Sequence, residues 1–253
     1  MPVTQALLID GDIVLHRFGH ANQTKVVWEV GEEASVAVGD PEQTLEDVDS
    51  FIMGLSHKFK KAEPIICLSG PRNFRYAVLE SYKWNRKNLE KPLLFNTIKA
   101  HLWKNYVVLM QDVLEGDDLM GIMSTEARGK YIICSIDKDM MQIPGRHYNW
   151  NTQRRTMQTA NAANHFFYRQ ILTGDPGDGY TGIPGCGPVK ADKILDGLDQ
   201  SHEAYWGAIT AAYEAAGLCE ADAIVQARVA RILRRGDYDY DKKEVHLWTP
   251  TQP

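Results

Sequence analysis

The stretch Ala6-Leu-Leu-Ile-Asp-Gly-Asp12 decides how the rest of the chain is interpreted. Four apolar residues end at a carboxylate, a pattern typical of a short buried strand that stops at the edge of a sheet. Similar apolar runs occur at residues 64–68, 104–110 and 131–136, and the last of them ends beside Asp137. Because helical patterns separate these runs, the sequence predicts a mostly parallel α/β sheet with helices on both faces.

Helix and hairpin signals fill the intervals between the strands. A helix is predicted from Asp40-Pro-Glu-Gln43, which has a capping side chain, a proline at the first position and Gln three residues after the cap. Residues 115–127 and most of the chain after residue 160 also have helical patterns. Residues 24–38 contain several β-branched side chains and are predicted to form a hairpin.

The composition is that of an ordinary globular protein, with 44% hydrophobic and 24% charged residues among 253. No apolar run approaches the roughly 20 residues of a membrane span, and residues 1–10 lack the pattern of a signal peptide. We therefore expect a cytoplasmic protein with no membrane partner. Because nothing in the sequence indicates an obligate partner chain, a monomer is expected. The four cysteines lack Cys-x-x-Cys spacing, so reduced thiols are expected, with neither a zinc site nor a disulfide framework.

The distribution of charge matters more than its sum. A net charge of −5 taken alone argues against a nucleic-acid partner. However, residues 72–104 contain eight Lys or Arg side chains against only Glu80 and Glu90, and acidic residues elsewhere gather in four short clusters. Two divalent cations bound at those clusters would add four positive charges. Local charge therefore favours nucleic acid.

The acidic clusters follow predicted strand ends or turns. They are Asp10 and Asp12; Glu115, Asp117 and Asp118; Asp137 and Asp139; and Asp175 and Asp178. The carboxyl ends of strands in an open α/β sheet converge on one crevice, so these carboxylates can meet. Their oxygens suit Mg²⁺ or Mn²⁺, and two such ions could act on a phosphodiester. The alternative is that each cluster merely forms a turn or a helix cap.

Two other segments have the composition of nucleic-acid contacts. In Tyr82-Lys-Trp-Asn-Arg-Lys87 the cations can engage phosphates while Tyr82 or Trp84 stacks on a base. A solvated helix face is the alternative there. In Gly182-Ile-Pro-Gly-Cys-Gly-Pro-Val-Lys190, the glycine turn, glycines permit close approach of a phosphate to backbone N–H groups before a helix. An ordinary tight turn between helices is the alternative for this segment.

The order of these motifs resembles the flap endonuclease and 5′–3′ exonuclease superfamily. The resemblance rests on residues 7–12, 82–86, 114–118, 135–139 and 174–178, followed by the glycine turn. The later stretches Ala230-Arg-Ile-Leu233 and Lys243-Glu-Val-His-Leu-Trp248 are similar to the stand-alone 5′–3′ exonucleases of short-tailed bacteriophages. Each motif alone is common, whereas their combined order, from about residue 6 to 249, is specific.

The resemblance implies a PIN-like α/β core with a helical arch and a C-terminal helix–hairpin–helix region. The catalytic core would occupy residues 1–160, the arch residues 71–95, and the DNA-binding helices residues 161–253. The implied activity is metal-dependent 5′–3′ exonuclease cleavage of double-stranded DNA from 5′ ends, nicks or gaps, in phage DNA replication, recombination and primer removal. The location would then be the host cytoplasm. Structure-specific cleavage of 5′ flaps is the alternative within the family.

The resemblance also implies roles for single residues. Two Mg²⁺ ions, replaceable by Mn²⁺, would be held by Asp10, Glu115, Asp117, Asp118, Asp137, Asp139, Asp175 and Asp178. The catalytic set would be Lys83 and Arg86 at the scissile phosphate with Asp10 and Asp137. DNA, or alternatively an RNA–DNA hybrid, would be bound by Arg72, Arg75, Tyr82, Lys83, Arg86, Lys87, Gly182, Gly185, Gly187 and Lys190.

The chain departs from the family pattern at three places. Ser69-Gly-Pro-Arg-Asn73 lacks the Asp that usually follows the second strand, so one carboxylate is missing or replaced by water. Asp12 occupies a position that is often neutral in the family, which puts its metal role in doubt. Gly179 and Tyr180 stand where an Asn usually follows the second Asp of the 174–178 motif.

Two other classes of function explain part of the sequence. Leu8-Ile-Asp-Gly-Asp12 with Val14 also resembles the start of haloacid-dehalogenase-type phosphatases, in which Asp10 would be a nucleophile and Asp12 an acid/base. A non-catalytic DNA-binding protein would keep the basic segment and the glycine turn. Neither class accounts for residues 135–139 together with the other carboxylates.

Overall fold

A six-stranded sheet forms the centre of the molecule. The computed structural model describes residues 5–21, 23–30, 32–86 and 89–251. The strands are β1 (Ala6–Asp10), β2 (Gln23–Val30), β3 (Glu32–Gly39), β4 (Glu63–Leu68), β5 (Val107–Met110), β6 (Tyr131–Cys134), β7 (Gly145–Asn149), β8 (Arg154–Gln158), β9 (Tyr238–Asp239) and β10 (Glu244–Val245). The helices are α1 (Gly11–Ala21), α2 (Pro41–Lys58), α3 (Arg75–Val78), α4 (Phe95–Asn105), α5 (Gly116–Glu126), α6 (Ala160–Thr173), α7 (Pro188–Leu195), α8 (His202–Ala215) and α9 (Glu220–Ala230).

The central sheet has the strand order β5-β4-β1-β6-β7-β8. All neighbouring pairs are parallel except β7 and β8, which confirms the predicted mostly parallel sheet. Leu7 and Ile9 face an apolar cluster shared with α1, α2 and α4, and Leu8 faces a second cluster under α5. Because β1 lies between β4 and β6, its last residue reaches the middle of the carboxyl edge of the sheet.

Most of the predicted elements are confirmed. The side chain of Asp40 accepts a hydrogen bond from the Gln43 N–H at 3.1 Å and caps α2. β2 and β3 form the predicted hairpin, which is separate from the central sheet. The third strand is shorter than predicted, because the buried side chains of Ile98 and Leu102 extend α4 to Asn105.

The β7–β8 hairpin was absent from the prediction. Its strands have five residues each, and β8 is an edge strand with mostly exposed side chains. Short polar edge strands lack the apolar alternation that identifies a strand in a sequence. Tertiary pairing with β6 therefore decides this part of the fold.

The C-terminal half has its own apolar cluster. Helices α6 to α9 surround buried aromatic residues that include Phe167, Tyr213 and Trp248. Ile232 and Leu233, which follow α9, pack instead in the cluster under α5. The C-terminal residues therefore also cover the central sheet, and the predicted division into two functional regions at residue 160 stays a prediction. Within the described ranges, none of the helices has the length and apolarity needed to cross a lipid bilayer.

The predicted arch, residues 71–95, contains short elements where it is described. They are the four-residue helix α3 and one 3₁₀ turn at Trp84–Arg86. The segment rests on the loop after α6, because the Lys83 N–H donates to the Asp178 carbonyl at 2.8 Å and Ser81 Oγ donates to the Gly179 carbonyl at 3.0 Å. Lys87 lies outside the described residues.

The contribution of the C-terminal aromatic cluster can be measured. The ring of Trp248 is 2% exposed and lies 5.0 Å from that of Trp206 and 5.6 Å from that of Phe167. We expect Trp248→Ala to lower the free energy of unfolding by about 3–5 kcal/mol. The neighbouring Leu247→Ala, at a side chain that is 36% exposed, should cost less than about 1 kcal/mol. Equal urea-unfolding midpoints for the two variants would contradict this assignment.

Candidate active site

The carboxyl edge of the sheet gathers acidic side chains around two adjoining cavities. The smaller, of about 190 Å³, is lined by Glu115, Asp117, Asp137, Asp139, Asp175 and Asp178. The larger, of about 740 Å³, is lined by Asp10 and Asp12 and shares Glu115, Asp117 and Asp137 with the first. The structure therefore brings together seven of the eight predicted metal ligands, all except Asp118.

Hydrogen bonds hold the ends of β1 and β6 together at this edge. Ser135 Oγ donates to Asp10 Oδ2 at 2.7 Å and accepts from the Asp137 N–H at 3.0 Å. Asp10 Oδ1 also accepts from the Ile13 N–H at 3.1 Å, in the first turn of α1. Asp10 and Asp137, which lie far apart in the sequence, are thus fixed relative to one another by one serine hydroxyl.

Burial and mutual repulsion act on these carboxylates. Burial, reinforced by Asp12, raises the pKa of Asp10 to about 7. Burial also raises the pKa of Asp117, and the charges of Asp10 and Asp137 raise it further. Asp139 behaves in the same way, since burial and then Asp137 raise its pKa to about 7. The cluster thus holds more negative charge than its protein surroundings neutralise.

Glu115 is the exception among the carboxylates. Burial alone would raise its pKa, but Lys83 and Arg75 outweigh burial and lower the pKa to about 2. Lys83 Nζ lies 2.5 Å from Glu115 Oε1 and 3.7 Å from Asp178 Oδ2, while an Arg86 nitrogen lies 2.5 Å from Asp178 Oδ1. Lys83 and Arg86, the side chains predicted to contact a phosphate, therefore pair with predicted metal ligands in the walls of the cavities.

The carboxylate oxygens that line the two cavities are suitable ligands for hard divalent cations. Asp10, Asp117 and Asp137 repel one another without an ionic partner of their own among the described residues. No three acidic, histidine or cysteine side chains in the described part of the chain converge as a closed cage. The side chains around these cavities must therefore turn towards a common ion to bind it.

Asp118 is a correction to the predicted set of metal ligands. It is 0% exposed and accepts two hydrogen bonds from Arg75, at 2.7 and 2.8 Å. It also accepts from the backbone N–H groups of Glu115 and Leu233, both at 3.1 Å. A carboxylate with four donors and no exposed surface cannot reach an ion in either cavity.

Arg75 and Tyr82 are corrections to the predicted DNA contacts. The five N–H donors of Arg75 reach Glu115, both oxygens of Asp118 and the backbone carbonyls of Val229 and Arg231. The ring of Tyr82 is buried in the C-terminal apolar cluster, and its hydroxyl donates to Glu115 at 2.9 Å. Trp84, 62% exposed, is instead the aromatic side chain of this segment that is open to a base.

The glycine turn divides into a buried and an exposed part. The Gly182 N–H donates to Gln226 Oε1 at 2.8 Å, and a Cβ at Gly182 would lie 2.4 Å from the Gly174 nitrogen. Gly182 therefore has a packing role, and its predicted phosphate contact is wrong. Gly185 and Gly187 are exposed before α7, and Lys190 is exposed in its first turn, so their contact with a DNA backbone stays a prediction.

Arg72, another predicted DNA contact, is also exposed, but it pairs with Asp112.

The three departures from the family pattern have structural partners here. Asp12 Oδ2 accepts from both the Ser69 N–H and Ser69 Oγ, at 3.0 and 2.5 Å, so a carboxylate reaches the end of β4 from α1. Gly179 has a φ of +79°, and a Cβ there would lie 2.2 Å from the Ser81 carbonyl oxygen. Glycine at this position lets the segment of Lys83 and Arg86 approach the carboxylates.

Three polar residues of the site were missed in the sequence. Ser69 and Ser135 each follow a buried strand, a position that was visible in the sequence. Ser69 donates a hydrogen bond to Asp12, and Ser135 donates one to Asp10. Gln170 Nε2 donates to Asp139 Oδ1 at 2.8 Å from the buried face of α6. A helical glutamine has no comparable signal, because only the packing of α6 brings it to the site.

Residues 5–167 match the model of the 5′-3′ exonuclease family, N-terminal resolvase-like domain. The exodeoxyribonuclease of Enterobacteria phage T3 and the exonuclease of Escherichia phage T7 are each 28% identical to this chain over 281 residues. The alignments cover 96% of this chain and 92% and 93% of the two relatives. A flap endonuclease of bacteriophage T5, solved as a pseudo-enzyme-product complex with DNA and metal ions, has a similar fold, with a TM-score of 0.63 and 15% identity. That similarity covers 89% of this chain and 93% of the T5 chain.

The structural role of Arg75 can be separated from DNA contact. We expect Arg75→Gln to lower the free energy of unfolding by about 3–5 kcal/mol, because it leaves Asp118 buried without its ionic partner. Arg72→Gln removes an exposed pair with Asp112 and should cost no more than about 1 kcal/mol. Urea unfolding of both variants checks this. Comparable stabilities for both would return Arg75 to the set of candidate DNA contacts.

Lys83 is paired with Glu115 and would therefore compete with a bound cation for this carboxylate. We expect Lys83→Ala to tighten Mn²⁺ binding roughly tenfold, because a positive charge beside Glu115 is lost. The measurement is a titration that follows free Mn²⁺ by electron paramagnetic resonance. Lys99→Ala is the matched control, because Lys99 lines the 740 Å³ cavity but its amine contacts Met110 Sδ, at 3.7 Å. Weaker Mn²⁺ binding by Lys83→Ala than by the control would contradict the competition.

Proposed function

The chain belongs to the 5′-3′ exonuclease family, and from this membership we propose that it is a Mg²⁺-dependent 5′–3′ exodeoxyribonuclease. Its substrate is duplex DNA with a 5′ end, a nick or a gap, and it acts as a monomer. The observation that carries the proposal is the gathering of mutually repelling carboxylates, Asp10, Asp117 and Asp137, at one edge of the sheet, in cavities that Lys83 and Arg86 also line. The carboxylates suit divalent cations, and the adjacent Lys83 and Arg86 suit a phosphate.

Two Mg²⁺ ions would be held by Asp10, Glu115, Asp117, Asp137 and Asp139, with Asp175 and Asp178 at the far side of the smaller cavity. When bound, such a pair supplies Lewis acidity towards the scissile phosphate and increases the acidity of water. Oxygen-only ligands favour Mg²⁺ or Mn²⁺ over softer metals. The similar T5 flap endonuclease was solved with metal ions, which supports a metal-dependent site.

The residues of the chain have separable tasks in this reaction. Ser135 keeps Asp10 and Asp137 in register, so the ligands from β1 and β6 need little rearrangement. Lys83 and Arg86, which pair with Glu115 and Asp178, would move to the phosphate oxygens of a bound substrate. They then offset the charge that grows on the phosphate in the transition state. Arg75 and Tyr82 still hold Glu115 when Lys83 leaves it.

DNA would be held on two sides of the carboxylates. The exposed residues Gly185, Gly187 and Lys190 suit the sugar–phosphate backbone of a duplex, which needs contacts without base reading. The 740 Å³ cavity on the other side of Lys83 includes His16 and Phe95, whose rings pack edge to face at 5.4 Å. A cavity with aromatic and basic walls suits the frayed 5′ nucleotide. We assign catalysis to residues 1–160 and duplex binding to residues 161–253.

The rival functions receive less support. A phosphatase that acts through Asp10 and Asp12 leaves the gathering of Asp117, Asp137 and Asp139 around the same cavities unexplained. A non-catalytic DNA-binding protein would not need the clustered carboxylates. Cleavage of 5′ flaps would use the same groups, and product lengths distinguish it from exonuclease cleavage. An RNA–DNA hybrid presents the same phosphates, so only cleavage of a hybrid substrate distinguishes that case.

The test uses a 5′-labelled nicked duplex and a matched 5′ flap, each with Mg²⁺ or with EDTA. We expect Mg²⁺-dependent release of short labelled products, and a loss of about 10²–10³-fold in rate for Asp137→Ala. Asp241→Ala, at an exposed carboxylate that lines neither cavity, is the control. An Asp137→Ala rate within twofold of the wild type would overturn the assignment, and product lengths would separate exonuclease from flap cleavage.

A further inference from the structure

One long segment of this acidic protein carries no acidic residue. Asp and Glu make up 33 of 253 residues, yet none occurs in residues 140–174. The segment contains Arg146, Arg154, Arg155 and Arg169. It includes the β7–β8 hairpin, which the proposed mechanism does not use. A local excess of arginine in a protein of net charge −5 indicates a surface for a polyanion.

The two faces of the hairpin differ. Two cross-strand pairs, His147 with Thr156 and Asn149 with Arg154, lie on one face and line a cavity of about 700 Å³. We call these four residues the hairpin face. Side chains alternate along a strand, so Arg155 points the other way, and its guanidinium lies 4.7 Å from the ring of Phe59. Only one of the two adjacent arginines therefore faces the cavity.

The cavity beside the hairpin face joins the carboxylate site. Asp137 and Lys138 line both this cavity and the 190 Å³ cavity. Asp137 is also the sole acidic residue among the described residues that line the 700 Å³ cavity, whose other polar groups include Ser135 and Thr152. A strand that crosses the scissile position can therefore continue into this cavity without meeting further negative charge.

Two groups on the hairpin face lack a partner among the described residues. Arg154 is exposed and forms no ion pair there with a carboxylate. His147 is 5% exposed, its Nε2 bonds to the Ile143 carbonyl at 2.7 Å, and its Nδ1 is buried without a hydrogen-bond partner. Buried polar atoms are normally paired, so an unpaired one at a cavity wall indicates a missing ligand or water.

We propose that the hairpin face is a second phosphate-binding surface, which holds the backbone of the nucleic-acid strand next to the scissile position at Asp137. Arg154 binds a phosphodiester through its planar guanidinium, and the hydroxyl and amide groups of Thr156 and Asn149 complete the contact. Such contacts position a strand without reading its sequence. The inference rests on the proposed nuclease function and adds a strand path that leads from the cleavage centre to β8.

The test compares Arg154→Gln with Arg155→Gln, which removes the same charge from the adjacent residue on the opposite face. The substrate is a nicked duplex in Mg²⁺, and the measurement is kcat and KM over a range of salt concentrations. We expect Arg154→Gln to lower kcat/KM about tenfold, mainly through KM. For Arg154→Gln, the plot of log(kcat/KM) against log[salt] should have a slope shallower than that of the wild type by about 0.9, the contribution of one duplex phosphate contact. Arg155→Gln should match the wild type in both quantities.

The result that overturns the proposal is equal behaviour of the two variants, or a loss in kcat alone. Arg154→Lys keeps the charge and should recover part of the loss in kcat/KM, which a merely structural role of Arg154 would not produce. If the wild type does not cleave, the nuclease function fails. Phosphate binding by the hairpin face is then tested by fluorescence anisotropy of the same duplex in EDTA. Weaker binding is expected only for Arg154→Gln.

Discussion

Concentrated negative charge at the carboxyl edge of the sheet is the constraint on which the rest of the site depends. Buried carboxylates need a partner, which can be a fixed cation, a hydrogen-bond donor, a proton or a metal ion. Arg75 is the fixed ionic partner of Asp118 and one of the ionic partners of Glu115. Asp10, Asp117 and Asp137 have no ion pair of this kind among the described residues, and burial together with neighbouring carboxylates raises the pKa of Asp10 and of Asp117. In the proposed function, divalent cations would neutralise these three carboxylates together with Glu115 and Asp139.

Lys83 and Arg86 supply the positive charge beside these carboxylates. These side chains face both cavities and pair with Glu115 and Asp178, so they neutralise the site from the side where a phosphate would enter. Backbone contacts with the loop after α6 hold the segment there, and the absent side chain of Gly179 makes room for them. Lys83 and Arg86 can thus pair with the carboxylates first and with a phosphate afterwards.

The surroundings of Asp137 extend this arrangement to a whole substrate. Asp137 lines three cavities, which lead towards the loop after α6, towards α1 and α4, and towards the β7–β8 hairpin. Basic or neutral polar groups line each of them beyond the carboxylates. A chain with a net charge of −5 therefore has basic paths around an acidic centre, which is the charge arrangement required of a protein that places a polyanion over metal ligands.

The sequence by itself determined the mostly parallel sheet, because apolar runs that end in carboxylates have a periodicity and a position that are visible locally. It also determined which carboxylates share an edge, since parallel strands end on the same side. Only the tertiary structure decided that Asp117 faces the cavities while Asp118 is locked beneath them. Successive helical residues point about 100° apart, and the partner of Asp118 is Arg75, 43 positions away in the sequence. The same physical reason separates Arg154 from Arg155: local sequence fixes the alternation of side chains, whereas long-range packing decides which of the two faces the site.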